Sequence, residues 1–241
     1  ETTFGPFRVL NFGLTDAIDS GLLPTPRIIV HSLEAPEHVL KRYKDWNETI
    51  DRQYLKYKSC RKEAGPKLGP LEETPKSKGA KNTWLHLCSE RKKWLAETKT
   101  AAAGHILDSF RKEGCKWLCF ADNVTQMKQL CKKGDEMICS EFTPAQNADA
   151  VKRFNSGQSK GLLAVDMARE GQNLAGIEKE LIVQLEFKSR PFKQRFGRVM
   201  RATDPELHLL AVPDTQDDGY LRTALEGLSP SCIKGWSPDA A

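Results

Sequence analysis

Short apolar runs rich in β-branched residues recur along this chain, separated by stretches with helical spacing of apolar positions. The strand-like runs are Arg27–Ser32, Lys116–Ala121, Glu136–Glu141, Gly161–Asp166, Glu180–Glu186 and His208–Val212. Ile28-Ile29-Val30 and Leu181-Ile182-Val183 are the clearest of them. The intervening helices are expected at Asn123–Lys133, Pro144–Ser156, Pro191–Ala202 and Gln216–Gly227. Regular alternation of strand and helix implies a three-layer α/β fold, a mainly parallel central sheet covered on both faces. In such a sheet, functional loops gather at the carboxyl ends of the strands.

That rhythm is interrupted between the first and second strands. Residues 36–110 read instead as a basic helical insertion, with helices at Pro36–Arg61 and Trp84–Arg111. Between them, residues 62–82 are rich in Pro, Gly and Lys and are expected to be a loop. Charge sharpens this division. The stretch Lys41–Lys99 holds sixteen Lys/Arg against eight Asp/Glu, a balance of +8; with a net charge of +5 for the whole chain, the remainder is −3. Its interleaved aromatics (Tyr43, Trp46, Tyr54, Tyr57, Trp84 and Trp94) could accompany contacts to nucleic-acid phosphates, or simply brace a helical hairpin with solvated lysines.

The 241 residues are 39% hydrophobic and 29% charged, and no apolar run reaches membrane-spanning length. The chain starts without an initiator Met or a signal-peptide pattern, as a fragment or processed product would. Seven cysteines, odd in number, scattered and without a CxxC pair, fit reduced thiols in a cytoplasmic protein. Cys60, His86 and Cys88 lack the regular spacing of a zinc site, so no metal ligand is assigned. His31, His105 and His208 lie in or beside apolar runs and are read as core.

The densest chemistry is Gln194-Arg195-Phe196-Gly197-Arg198-Val199-Met200-Arg201. On a helix Gln194, Arg198 and Arg201 fall at i, i+4 and i+7 and share one face. Guanidinium groups are permanently charged and match phosphate oxygens bidentately. The pattern Gln-x-x-Gly-Arg-x-x-Arg resembles motif VI of superfamily 2 helicases. Lys116–Asn123 resembles motif IV, and Asp166-Met167-Ala168-Arg169-Glu170-Gly171-Gln172-Asn173-Leu174 resembles motif V. Before motif V comes the expected helix and turn, Phe154-Asn155-Ser156-Gly157. Phe4–Phe7 and Leu14–Leu23 resemble the entry from the first lobe into the second. In correct order, these motifs identify most of the chain as similar to the C-terminal RecA-like lobe of a DEAD/DEAH-type helicase or translocase. Two positions depart from the pattern: Val165 stands where some relatives carry a phosphate-contacting threonine, and Asn173 where others carry a ribose-contacting Asp.

The resemblance implies four segments: lobe entry and first strand at 1–35, the insertion at 36–110, a RecA-like core with motifs IV, V and VI at 111–228, and a tail at 229–241. It also implies that Arg198 and Arg201 act as arginine fingers on the γ-phosphate of ATP, with Gln194, Gly171 and Asn173 lining the nucleotide. No Gly-x-x-x-x-Gly-Lys-Ser/Thr and no Asp-Glu-x-Asp/His box occur in these residues. ATP and Mg²⁺ would therefore be held mainly by an N-terminal RecA-like lobe of the same protein, and the isolated chain is expected to be inactive. The implied partners are that lobe and DNA or RNA. A different class of function also fits: a non-catalytic nucleic-acid-binding module that reuses the fold.

Overall fold

The computed structural model describes residues 14–63, 74–165, 173–186 and 189–236, without the side chains of Leu14 and 189–191. Seven strands form one sheet: β1 (Arg27–Ser32), β2 (Trp117–Phe120), β3 (Glu136–Ile138), β4 (Gly161–Ala164), β5 (Lys179–Ile182), β6 (Glu206–Ala211) and β7 (Ile233–Lys234). Their order is β3-β4-β2-β5-β6-β1-β7, and every neighbouring pair is parallel. The α/β fold expected from the alternation is thus present. β2, β4 and β6 are buried at every position, as strands covered on both faces must be.

Two apolar clusters sandwich the sheet. On one face, Leu118, Phe120, Leu162, Ile182 and Leu207 meet helices α6 (Pro144–Asn155), α7 (Ser189–Val199) and α8 (Gln216–Leu225) through Phe154, Phe196 and Leu221. The short α1 (Leu14–Asp19) adds Ile18 to that side. On the other face, Trp117, Cys119, Leu163 and Leu181 meet α4 (Thr100–Glu113) and α5 (Val124–Leu130) through Leu107, Phe110 and Met127. Alternate residues of β5 therefore serve opposite layers, the period-2 rule of a strand.

Local sequence explains the helix boundaries. Thr143 and Gln146 close α6 with a reciprocal capping box, and Pro144 occupies the first turn, where its missing N–H costs nothing. Asn123 caps α5 by accepting from Gln126 N at 2.8 Å. Gly114 ends α4 in the left-handed region at φ 69°, which glycine adopts without strain.

Four local expectations need correction. The Pro/Gly/Lys-rich loop is shorter than expected, because Pro75–Lys81 already belong to helix α3 (Pro75–Thr98). Thr74 caps that helix by accepting from Ser77 N, and Pro75 sits in its first turn, so the residues read as breakers are a helix start. The single helix expected over Trp84–Arg111 is two, α3 and α4, meeting at Lys99, whose side chain turns into the core. The expected strands Glu136–Glu141 and Glu180–Glu186 leave their ladders early, at Ile138 and Ile182. Finally, the stretch 229–241 contributes β7, which pairs with Ile28 and Ile29 of β1. A two-residue strand has no periodicity to read.

Helix α2 (Glu37–Glu63) and α3 form a long hairpin beside the sheet. Its base is fixed by Arg91, which donates to Asn47 Oδ1 and, at 2.8 Å, to Gln216 Oε1. Gln216 N donates to the Tyr43 hydroxyl at 2.6 Å, and Lys92 pairs with Asp122 at 3.0 Å. Towards the tip, Tyr54, Tyr57 and Trp84 pack on one another, with ring centroids 5.0–6.4 Å apart. These aromatics brace the two helices against each other and leave the lysines outside.

Candidate functional site: the arginine face of helix α7

Helix α7 is anchored by apolar residues. Phe192 and Phe196 stack at 5.6 Å and, with Val199 and Met200, press onto the sheet. That orientation decides the fate of the four polar residues of the Gln194–Arg201 motif. Gln194 is exposed, Arg198 half-buried and Arg201 exposed just past the helix end. Arg195 points the other way. It is 6% exposed, pairs with Glu186 at 2.9 Å and lies over the Phe120 ring at 5.0 Å. The arginine triplet is thus split: one member is a structural strut, and two face outward.

Arg201 donates to Asn173 Oδ1 at 3.3 Å, so the structure brings these two expected site residues together. Asn173 is itself fastened from behind. Asn155 at the end of α6 donates to Asn173 O at 2.8 Å and accepts from Ala175 N at 3.0 Å. Asn155 was legible only as part of a turn, yet it places the residue that meets Arg201. Arg198 and Arg201 are near enough for their charges to oppose each other. Burial, first, draws the Arg198 pKa down, and Glu180 draws it up. No contact ties Gln194 to either arginine among the described residues. Gly171 and the rest of 166–172 lie outside those residues.

Beside Arg201 opens a polar cleft of about 580 Å³, lined also by Arg27, Glu178, Lys179, Asp204 and Glu206. Its other cations are engaged: Arg27 pairs with Glu206 at 2.8 Å, and Lys179 with Glu113 at 2.6 Å and Glu206 at 2.7 Å. A larger concavity of about 760 Å³, around Leu228 and Trp236, contains none of the expected site residues.

Two buried polar groups had no sequence signal. Lys99 and Asp217, both fully buried, form an ion pair at 2.6 Å. Gln184, just beyond β5, accepts from Lys99 at 2.8 Å and donates to Asp217 at 3.0 Å. Burial pushes the Lys99 ammonium below its ordinary range, and Asp217 opposes that shift. The second group is Glu180, a carboxyl with no exposure in the middle of β5. Lys99 and Asp217 lie in polar stretches and Glu180 at the charged start of an apolar run, so each reads as a solvent-facing charge.

Among the described residues, no group of three or more His, Cys, Asp or Glu is arranged to hold a metal, and no helix is long and apolar enough to cross a membrane. All seven cysteines are free. Arg201 is exposed and Arg198 half-buried, and guanidinium groups of this kind suit a polyanion.

Residues 98–203, which include α4, β2, α7 and both outward arginines, match the helicase conserved C-terminal domain. No curated protein matches the chain. Among solved structures, the Sulfolobus solfataricus SWI2/SNF2 ATPase core domain aligns over 91% of this chain and 46% of its own, at 14% identity and a TM-score of 0.56. Domain 2 of the DEAD-box helicase Mss116p, bound to an RNA duplex, aligns over 55% of this chain and 56% of its own, at 21% identity and a TM-score of 0.46. The helicase MrfA bound to DNA aligns over 47% and 18%, at 13% identity and a TM-score of 0.43. The chain thus spans between about a fifth and just over half the length of these structures. Through residues 98–203, this chain is thus similar to the helicase conserved C-terminal domain, and over most of its length it shares the fold of the SWI2/SNF2 ATPase core domain.

Proposed function

We propose that this chain is the second motor lobe of a nucleic-acid-dependent ATPase, and that Arg198 and Arg201 serve as its arginine fingers. The observation that carries the reading is the outward pair on α7, within the family-matched region, with Arg201 held against Asn173. In this role the two guanidinium groups would meet the γ-phosphate of ATP and stabilise charge developing during phosphoryl transfer. Gln194 and Asn173 would line the nucleotide, as would Gly171. An N-terminal RecA-like lobe of the same protein would supply the P-loop and the Mg²⁺ ligands, which the 241 residues lack. Isolated, the chain would not hydrolyse ATP.

The insertion would be the α2–α3 hairpin. Helix α4, whose Ala103, Leu107 and Phe110 pack on the sheet, would belong to the core together with β7. DNA or RNA would run across both lobes on the side away from the nucleotide cleft.

The decisive experiment is nucleic-acid-stimulated ATP hydrolysis by the full-length gene product, wild type beside Arg198→Ala. An arginine finger contributes about 10³–10⁵ in rate, so the variant should lose at least about a thousandfold while still binding ATP. Normal hydrolysis by the variant, or none by the wild type, leaves the fold without the motor role and favours a non-catalytic nucleic-acid-binding module.

A further inference from the structure

Helix α7 rests on the sheet through Phe192, Phe196, Val199 and Met200. Apolar burial is non-directional, so a stripe of this kind fixes the depth of a helix more firmly than its roll about its own axis. Direction is added by Arg195. On the helix it flanks the apolar stripe and stands three residues before Arg198, so the two are neighbours on successive turns. Arg195 Nη2 donates to Glu186 Oε1 at 2.9 Å, and the guanidinium lies 5.0 Å from the centre of the Phe120 ring at the end of β2. A hydrogen bond between charged groups has a preferred line as well as a preferred length. Any roll of α7 that swings Arg198 must also strain this bond.

Glu186 can serve as a reference point only if the chain carrying it is itself fixed. After Ile182 that chain leaves the ladder and bends through Val183 and Gln184. The Gln184 amide accepts from Lys99 Nζ at 2.8 Å and donates to Asp217 Oδ1 and Leu185 O, both at 3.0 Å. Lys99 joins α3 to α4 on one face of the sheet, Asp217 stands in the first turn of α8 on the other, and the two pair at 2.6 Å. Leu185 is buried in the core between them and Glu186. The exit of β5 is thus tied to both helical layers two residues before Glu186.

We infer that Glu186 is a positioning residue for the arginine face: held by the Gln184 clamp, it fixes the roll of α7 through Arg195 and so sets where Arg198 leaves the helix. The inference rests on the motor reading for its consequence in catalysis, but not for the bracket itself. A misplacement of about 1 Å in a reacting geometry can cost about a hundredfold in rate, so a catalytic arginine gains from a helix whose roll is set in advance. Arg201 is aimed separately, since it lies past the helix end and donates to Asn173.

Arg195 is left in place in every variant, because its charge also acts on the buried Glu180 carboxyl. The first test follows amide exchange in the 241-residue chain. Glu186→Ala should speed exchange in α7 at least about tenfold, the size expected for losing a hydrogen bond to a charged group, while α6 and α8 keep their protection. Glu186→Gln, whose amide oxygen still accepts from Arg195, should restore most of that protection. Unchanged exchange in α7 overturns the inference. The second test is ATP hydrolysis by the full-length gene product. Glu186→Ala should lower kcat on the order of tenfold with little change in KM, and Glu186→Gln should recover most of the loss. On an Arg198→Ala background Glu186→Ala should cost nothing further, because the group it aims is gone. An unchanged kcat, a loss that Glu186→Gln leaves in place, or an additive loss on the Arg198→Ala background means a merely structural role and overturns it. If the wild-type gene product shows no ATPase, the motor reading falls, and amide exchange alone decides whether Glu186 fixes α7.

Discussion

The parallel sheet and the α2–α3 hairpin are held together by different means. In the sheet, entire strands are excluded from water, and the fully buried ion pair Lys99–Asp217 joins the helices around it. In the hairpin, 51 helical residues bury only eight side chains, so its cohesion must come from a thin seam: Tyr57, Cys60 and Ala80 near the tip, Tyr43 and Leu95 at the base. Its local pairs, Lys76–Glu63 and Lys93–Glu90, are exposed. The contrast shows what each region can be asked to do. The sheet can hold Arg198 and Arg201 in a fixed direction. The hairpin offers a long basic surface whose shape depends on stacked aromatics.

The largest effect that would sharpen this contrast is expected in the buried ion pair. Lys99→Met leaves Asp217 buried and uncompensated, which should cost about 3–5 kcal/mol in urea unfolding. Lys99→Met with Asp217→Leu should recover much of that loss. An equal cost in the double variant would mean that Gln184 and the backbone, rather than the charge, fix the junction. Next comes Leu107→Ala in α4, which opens a cavity under the sheet and should cost about 2–5 kcal/mol of global stability. Trp84→Ala in the hairpin removes stacking contacts worth about 0.5–1.5 kcal/mol each. Its signature should be faster amide exchange confined to α2 and α3 while the sheet stays protected; global loosening would show the hairpin and sheet to be one cooperative unit.

A smaller effect is expected with pH. His31 and His208 hydrogen-bond at 2.8 Å, and His208 reaches Glu206 at 2.9 Å. Burial lowers both imidazole pKa values from 6.5; the neighbouring imidazole adds to the fall at His31, whereas Glu206 opposes it at His208. Below pH 6.5 the unfolded imidazoles take up protons before the folded ones, so stability is full above that value and declines as pH falls through the folded values. Glu206, held below its ordinary value of 4.5 by Lys179 and His208 against the cost of burial, extends the decline at lower pH. The urea midpoint should drop between about pH 7 and pH 5.5, and His208→Gln should flatten that drop. The smallest effect is Lys76→Ala, which should leave the urea midpoint unchanged because both partners are solvated.

How far the site could be read in advance varies by residue. Gln194, Arg198 and Arg201 were legible as one helix face because the i, i+4, i+7 spacing is a property of the chain. The burial of Arg195 was not, since the same spacing does not say which side of the helix meets the sheet; Phe192 and Phe196 settle that by packing. Asn173 was recognisable by its place within motif V, but its contact with Arg201 depends on Asn155, eighteen residues earlier. Glu180 carried no signal at all, because the last of three charges at the start of a strand reads as exposed until the strand is covered.

What the sequence by itself determined is the alternation of strands and helices, and with it the layered parallel sheet, because the periods of apolar residues and the caps act over a few neighbours. The family motifs follow from the same local order. The tertiary structure alone decided which charges are buried, which arginines face out, and that residues 229–236 return to the sheet edge. Those outcomes depend on contacts between residues distant in the chain, such as Lys99 with Asp217 and Ile28 with Ile233, and no local pattern encodes them.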